Sequence, residues 1–486
     1  MENITRKSFL TGAAALGVMG AAGLAFADEA TETEEAPAEE AATETEAAAE
    51  TDAAPVAVMT QTLEELNAAR RAHIDAMTDY TCEDGTVIPA VYVKLRALVE
   101  GYGLGVGSKN NDHSFDFFMN YWTEDEAQAY LEMPLGIAFT AADFAQQSGR
   151  DEAECEQICY DLSYRGLLMR WTRAGVHYYH HIAYAHGLWE YGLLAEARED
   201  ENAEDFLALD TITEWAELHQ TEDLPNAHKR ADLHSTVFAE DQALYNSETP
   251  FYYAVPVNQD VVADTQILPY DDYEAVIDRN TVFGVSPCQC RLRRNAMGDY
   301  TNTVVEGQCD HPIETCLSTG LMAEYYIENG IARQIDQDEA REILRRSVDE
   351  GMVIQSCYTK DSEIFCSCHG DCCDILSSYV ALGAEGCASL NSFPQVSNYN
   401  LVVDNEACIK CGACVTQCPL YAITMTDDGP VVDAKCVRCG QCALVCPVEA
   451  RKLVQKDKSE ILELPQNMLE DYILKGNYRM SHGYVY

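Results

Sequence analysis

The chain reads as an α+β protein, and three features of the sequence say so. Residues 125–190 carry helical periodicity that gives way to a short hairpin pattern. Residues 283–373 hold a cysteine-rich block set among further amphipathic helices. Near the C-terminus one four-cysteine run occurs twice, each copy closed by proline. The expected segments are a leader (1–27), an acidic linker (28–55), a helical body (60–250), a Cys-rich middle domain (251–397), a duplicated cysteine domain (398–455) and a tail (456–486).

The leader has a charged start, an Ala/Gly-rich apolar run and Ala25-Phe26-Ala27 as a cleavage site. Thr5-Arg6-Lys7-Ser8-Phe9-Leu10 resembles the twin-arginine export motif, with Lys7 in place of the second Arg. That resemblance implies export, to the periplasm or the outer face of the cell envelope. The apolar run is too short and weak to span a bilayer, and no later run reaches spanning length. No transmembrane segment is expected in the mature chain. Residues 28–55 are mostly Ala, Glu and Thr, cannot bury a core, and read as a disordered linker.

Net charge is −49 over 486 residues. Residues 1–27 carry +1 and residues 28–55 carry −11, so most of the acidity belongs to the remainder. Such a field repels nucleic acid and anionic lipid and favours a basic protein partner.

In the helical body, Leu63, Leu66, Ile74 and Met77 share one helical face. Gly101, Gly103, Gly105 and Gly107 alternate in a way that matches no nucleotide-binding fingerprint and read as a loop. Phe139 to Ala145 reads as a helix, Ser148-Gly149-Arg150 as a turn, and Asp151 to Tyr164 as a second helix. That helix has Cys155, Ile158, Cys159 and Leu162 on one face. Trp171 to Ile182 reads as a hairpin turning at Ala174-Gly175. This resembles a winged helix-turn-helix module. A DNA reader needs a basic second helix, whereas here its first turns hold Asp151, Glu152, Glu154 and Glu156. Nucleic acid is therefore not an expected partner, and packing or partner docking is the better reading. His177, His180, His181 and His186 are read as structural rather than ligating, and Cys155 and Cys159 as buried thiols. Residues 190–250 read as helical and acidic, with no chemical motif.

The middle block holds Cys288-Gln289-Cys290-Arg291, then Cys309 and Cys316, then Cys366-Ser367-Cys368-His369-Gly370-Asp371-Cys372-Cys373. Two readings stand. One is a metal or further Fe–S site drawn from Cys288, Cys290, Cys309, Cys316, Cys366, Cys368, Cys372 and Cys373, with Arg291 offsetting negative charge and His369 as a mixed ligand. The other is disulfides, which export to an oxidising compartment would favour. Between these motifs, Ile327 and Ile331 are placed in one helix weakened by Gly330. Asp336 or Asp338 caps another whose Ala340, Ile343 and Leu344 share a face.

The duplicated run is Cys408-Ile409-Lys410-Cys411-Gly412-Ala413-Cys414 … Cys418-Pro419, repeated as Cys436-Val437-Arg438-Cys439-Gly440-Gln441-Cys442 … Cys446-Pro447. Three closely spaced cysteines wrap one cubane corner, and the fourth, before proline, reaches the other cluster. Cys408, Cys411, Cys414 and Cys446 are thus expected to hold one [4Fe–4S] cluster, and Cys436, Cys439, Cys442 and Cys418 the second. Zinc ribbons do not carry this triple spacing. The run resembles a bacterial-type dicluster ferredoxin domain, which implies a (βαβ)2-like fold. The whole arrangement, with C-x-C-R, C-x2-P-x-E-x-C and C-x-C-x3-C-C ahead of the run, is similar to a group of anaerobe proteins. Those proteins join a winged-helix-like N-terminal part to a dicluster ferredoxin. Clusters loaded before export agree with a twin-arginine leader.

The sequence therefore predicts an electron-transfer protein with two [4Fe–4S] clusters, the relay of an exported anaerobic redox system. Its expected partner is a redox protein, such as a membrane-bound or flavin-containing oxidoreductase. A self-contained reductase with a further metal centre in the middle domain is the first alternative, and a redox-sensing or docking module the second. Pro465 opens a tail helix expected to dock on the body through Met468, Leu469 and Tyr472.

Overall fold

The computed structural model describes residues 63–102, 114–184, 186–198, 252–257, 267–292, 311–389 and 397–481. The leader, the linker, most of 190–250 and Cys309 lie outside the described residues, as do Gly103, Gly105 and Gly107.

Side-chain caps set the helix starts of the N-terminal body. After α1 (Leu63–Asp75) come a small ladder of β1 (Tyr80–Thr81) and β2 (Val87–Ile88), then α2 (Ala90–Glu100) and α3 (Ser114–Tyr121). Thr123 opens α4 (Glu124–Glu132) with a capping box shared with Glu126, and Thr140 opens α5 (Ala141–Ser148) with one shared with Asp143. Asp151 accepts from the Ala153 and Glu154 amides to start α6 (Glu152–Tyr164). As expected, α6 buries Cys155, Cys159 and Leu162. The hairpin of β3 (Met169–Arg173) and β4 (Val176–His180) turns at Ala174 (φ 52°) and Gly175 (φ 79°). Both residues are left-handed, which matches the twist of a two-residue hairpin turn. Phe139 bridges to Tyr179 as a partial third strand, and α7 (Leu188–Arg198) follows.

The middle of the chain builds a six-stranded antiparallel sheet. β5 (Tyr252–Ala254), α8 (Tyr273–Arg279), β6 (Phe283–Pro287), β7 (Glu314–Thr319), α9 (Gly320–Glu328), β8 (Arg333–Ile335), α10 (Gln337–Asp349), β9 (Val353–Cys357) and β10 (Ile364–Cys368) follow in order. In space the strands run β5-β9-β10-β7-β6-β8. Every residue of β6 and β9 is buried, so both faces of the sheet are covered. Asp336 caps α10 through the Glu339 amide, and Ala340, Ile343 and Leu344 lie on its buried face as expected. The helix expected to carry both Ile327 and Ile331 instead ends at Asn329. Gly330 (φ 66°) turns the backbone out, and Ile331 leaves the helix for the core.

α9 joins the two halves. It packs on β6 and β7 and also on β3 of the hairpin. Buried Arg170 on β3 donates to Ser163 Oγ and to Asn329 Oδ1, both at 2.8 Å. One apolar core runs from Ile74 through Tyr472. Each large side chain that it buries contributes roughly 1.5–3 kcal/mol of transfer free energy.

After α11 (Asp374–Ala388) the chain forms a β-α-β-β-α-β unit. It consists of β11 (Tyr399–Val403), α12 (Ala413–Thr416), β12 (Ile423–Thr426), β13 (Gly429–Val432), α13 (Gln441–Leu444) and β14 (Arg451–Gln455). β11 pairs with β14 and β12 with β13, both antiparallel. The last helix, α14 (Met468–Ser481), returns to the core. Met468, Tyr472 and Ile473 are buried, and the Tyr472 hydroxyl donates to the His186 carbonyl at 3.0 Å. No helix among the described residues is long and apolar enough to cross a membrane.

Candidate metal centre

The two cysteine runs fold alike. In each, the residue before the second cysteine is left-handed, Lys410 (φ 55°) and Arg438 (φ 59°). Gly412 (φ 83°) and Gly440 (φ 95°) then start α12 and α13, which carry Cys414 and Cys442. A side chain is disfavoured at such a φ, so glycine sets the turn that folds each run back on itself. After each proline a third left-handed residue follows, Tyr421 and Glu449. The Ala422 amide donates to Cys418 Sγ at 3.3 Å, and the Ala450 amide to Cys446 Sγ at 3.2 Å. Amide donors of this kind stabilise negative charge on a ligating sulfur.

A cavity lies between the runs. Four thiols line it, Cys436, Cys439 and Cys442 of the second run and Cys418 of the first. Leu401, Leu420, Ile423 and Val437 supply apolar wall. Burial pushes the Cys418, Cys436 and Cys439 thiols up, and Cys442 up to about 12. Buried Arg438 lies beside Cys436 and buried Arg451 beside Cys442, and each partly offsets that effect. Four soft donors around an apolar pocket with fixed positive charge suit an iron–sulfur cluster. The complementary set is more open. Cys414 is buried, Cys408 and Cys446 are half-buried, and Cys411 is exposed, as is its neighbour Ile409.

The buried set faces the middle domain. Gln441 is fully buried, and its amide donates to the Val348 and Met352 carbonyls at 3.0 and 2.8 Å. Gln417 donates to Gln441 Oε1 at 3.1 Å, and the Val257 amide to the Cys439 carbonyl at 3.0 Å. None of these links was foreseen from the sequence, because Gln441 is only a spacer within the motif.

Most of the middle-domain cysteines converge where β6, β7 and β10 meet the start of α11. Cys290 hydrogen-bonds to Cys288 and to Cys373, and Cys368 to Cys373 and to Cys366, giving a continuous thiol chain. Cys316 lies beside Cys366 and Cys288. The hydrogen bond from Cys290 holds the Cys288 thiol below its usual range, and the Arg291 charge adds to this. Burial pushes Cys373 up, but hydrogen bonds from Cys290, Cys368 and the Leu376 amide more than offset it. Arg291 is buried and donates to the Pro312 carbonyl, to Thr315 Oγ1 at 3.2 Å and to the Ser367 carbonyl at 3.1 Å. Cys372 stands off this chain and hydrogen-bonds to Asp371. Every described cysteine is a free thiol.

Of the four histidines on and after the hairpin, His180, His181 and His186 are buried. His181 is buried with Nε2 3.2 Å from the Tyr130 carbonyl, and His186 Nε2 is 2.9 Å from the Tyr326 hydroxyl. Burial lowers His180 to about 4 and His181 to about 3. Cys82, Cys357 and Cys387 are buried thiols. The sequence reading weighed His369 as a ligand but passed over His311 and Asp371, which the fold places beside it. The signal for both was their position next to Cys309 and Cys372 in otherwise metal-like spacing.

Comparison with known proteins agrees with the C-terminal geometry. The family model for the 4Fe-4S dicluster domain matches residues 407–451. The 4Fe-4S ferredoxin FdxA of Gottschalkia acidurici is 59% identical over 32 residues, which is 7% of this chain and 57% of that protein. A ferredoxin of Acetoanaerobium sticklandii is 57% identical over 32 residues, with the same coverage. The chain thus spans just over half the length of the curated relatives it matches. No solved structure matches. The C-terminal region is a ferredoxin-type 4Fe-4S dicluster domain, and its chemistry is iron–sulfur electron transfer.

Proposed function

We propose that the protein is the relay component of an exported anaerobic redox system. In this reading Cys436, Cys439, Cys442 and Cys418 hold one [4Fe–4S] cluster, and Cys408, Cys411, Cys414 and Cys446 the other. The observation that carries it is the cavity lined by Cys418 together with the three close cysteines of the opposite run. Bound clusters supply one-electron transfer. The chain holds them, buries one set, and places Arg438 and Arg451 to offset charge.

The relay reading rests on asymmetry. The set containing exposed Cys411 is open to a partner protein, whereas the set containing Cys439 abuts the middle sheet through Gln441 and Val257. The acidic chain favours a partner with a basic face, and a membrane-bound or flavin-containing oxidoreductase fits that description. Export by a twin-arginine route belongs to the same proposal and is supported by the leader-like residues 1–27. The helix–turn–helix and hairpin of α5, α6, β3 and β4 support a winged-helix-like docking role for the 60–250 body.

A second reading has its own observation. The thiol chain from Cys288 to Cys366 fits a further Fe–S or other metal site, which would make the protein a self-contained reductase. Iron, sulfide and flavin counts on anaerobically purified protein, with EPR of the reduced state, separate the two. About eight irons per chain supports the relay alone, about twelve adds a cluster on the middle cysteines, and fewer than about eight overturns the dicluster assignment.

A further inference from the structure

We propose that His311, His369 and Asp371 form a binding site for one divalent transition-metal ion, separate from both cysteine systems. One ligand atom from each residue lies within 4.8 Å of the other two, and they are the only such group among the described residues. The His311 and His369 rings are 4.6 Å apart between centroids and tilted by 44°. His369 Nδ1 and Asp371 Oδ1 lie 3.0 Å apart.

The convergence of all three donors carries the argument. Both atoms of the His369–Asp371 pair are buried, yet neither makes an aligned hydrogen bond. The pair is an ion-pair contact, and with the His311 ring beside it the three donors are spaced as neighbours in a coordination sphere are. Ligands at about 2.0–2.1 Å from one ion stand about 3 Å from each other.

The frame is rigid. His369, Gly370 and Asp371 form the loop between β10 and α11, and the His369 carbonyl accepts the Cys372 and Cys373 amides at 3.3 and 2.9 Å. Gly370 is tied to Pro419 by a 3.0 Å hydrogen bond. His311 leads into β7, and just before that strand the Ile313 carbonyl accepts the Cys288 amide at 2.8 Å. The site is thus held by three separate connections that do not depend on a metal.

Two imidazoles and one carboxylate form a borderline donor set that suits zinc or ferrous iron. Three protein ligands leave at least one position open, and His369 and Asp371 side chains keep 16% and 17% exposure, enough for a water or a small oxygen donor to reach the ion. The Tyr421 ring lies 5.9 Å from His369, three residues beyond Cys418. The site therefore borders the buried thiol set without sharing a ligand with it.

The test uses full-length protein handled anaerobically, cleared of loose metal with EDTA and titrated with Zn2+ alone. The expected result is one tightly held zinc per chain. Its X-ray absorption should show a nitrogen and oxygen shell near about 2.0–2.1 Å, with no sulfur near about 2.3 Å. His311→Gln and Asp371→Asn should each weaken zinc retention at least about tenfold, with iron, sulfide and the visible spectrum unchanged. No retained zinc, a sulfur shell, or variants that bind as the parent does would each overturn the proposal. Should one variant lose its clusters, the other variant and the parent's absorption spectrum decide. Iron serves here only as a comparison between variant and parent and its absolute count decides nothing, so failure here and failure of the relay reading are separate results.

Discussion

The Gly370 amide donates to the Pro419 carbonyl at 3.0 Å, which fastens the β10–α11 loop of the middle domain to the proline that closes the first cysteine run. This single bond brings two cysteine-bearing segments side by side. Gly370 follows Cys368 and His369, and Pro419 follows Cys418. Contact this close needs a residue without a side chain. A Cβ on Gly370 would lie 2.5 Å from the Pro419 carbonyl oxygen and 3.0 Å from Val380 Cγ2.

Gly370→Ala should therefore separate the two loops. The clash is with backbone, which cannot swing aside as a flexible side chain does, and overpacking of this kind costs typically 1–3 kcal/mol. Chemical denaturation of the holo-protein should show that loss, and EPR of the reduced state should change for the cluster proposed on Cys418. An unchanged spectrum with unchanged stability would mean that the loops move apart freely.

Gln441 makes a second link of the same kind. Gln441→Ala takes the side-chain donor from the buried Met352 carbonyl, while the Val348 carbonyl keeps the Gly351 amide, and it also removes the partner of Gln417. An orphaned buried acceptor costs about 1–3 kcal/mol. The loss should appear in the denaturation midpoint of both the ferredoxin region and the middle sheet together, because the bond joins them. Two separated transitions, with only one shifted, would contradict this.

Part of this arrangement is plain in the sequence. The doubled C-x2-C-x2-C-x3-C-P run specifies its own local fold, since ligand spacing and Gly412 and Gly440 fix the turns. Capping is equally local, and Asp151, Asp336 and Gly149 mark their helix boundaries within a few residues. The six-stranded sheet is not readable in the same way. β6 and β9 are buried on both faces, so they lack the alternation that reveals a strand. Their partners are also remote, as with β5 beside β9. The His311, His369 and Asp371 group is hidden for the same reason, because β7 and β10 must pair before His311 meets the loop after Cys368.

Stability should fall with rising pH through a specific carboxyl. Asp271 is buried, accepts from Asn398 Nδ2 at 3.0 Å, and is raised by burial from its usual 3.8 to about 6. Its folded-state pKa lies above the unfolded value. The folded state thus keeps a proton that the unfolded chain loses. This contribution is complete below about pH 4 and is lost as pH climbs through about 6. The shift corresponds to roughly 3 kcal/mol at most. Asp271→Asn removes the ionisation, so the variant should gain more on the parent protein at pH 8 than at pH 5. Urea midpoints at the two pH values measure the difference, and an equal gain at both would rule out Asp271 as the source.

Crossed ligation makes the sharpest prediction for the cysteines. If Cys418 completes the buried set and Cys446 the open set, Cys418→Ala and Cys446→Ala should each lower the iron count by about four, and each should leave a different cluster behind. Cys418→Ala would retain the cluster on Cys408, Cys411, Cys414 and Cys446. Exposed Cys411 makes that set accessible to water. Cys446→Ala would retain the cluster on Cys436, Cys439, Cys442 and Cys418, beneath Leu401, Ile423 and Val437. The cluster surviving in Cys418→Ala should therefore bleach several-fold faster under an external chelator than the one surviving in Cys446→Ala. Uncrossed ligation reverses that order, since each substitution would then strip the run in which it lies. The bleaching rates of the two variants, compared at equal residual iron, thus assign both ligand sets at once.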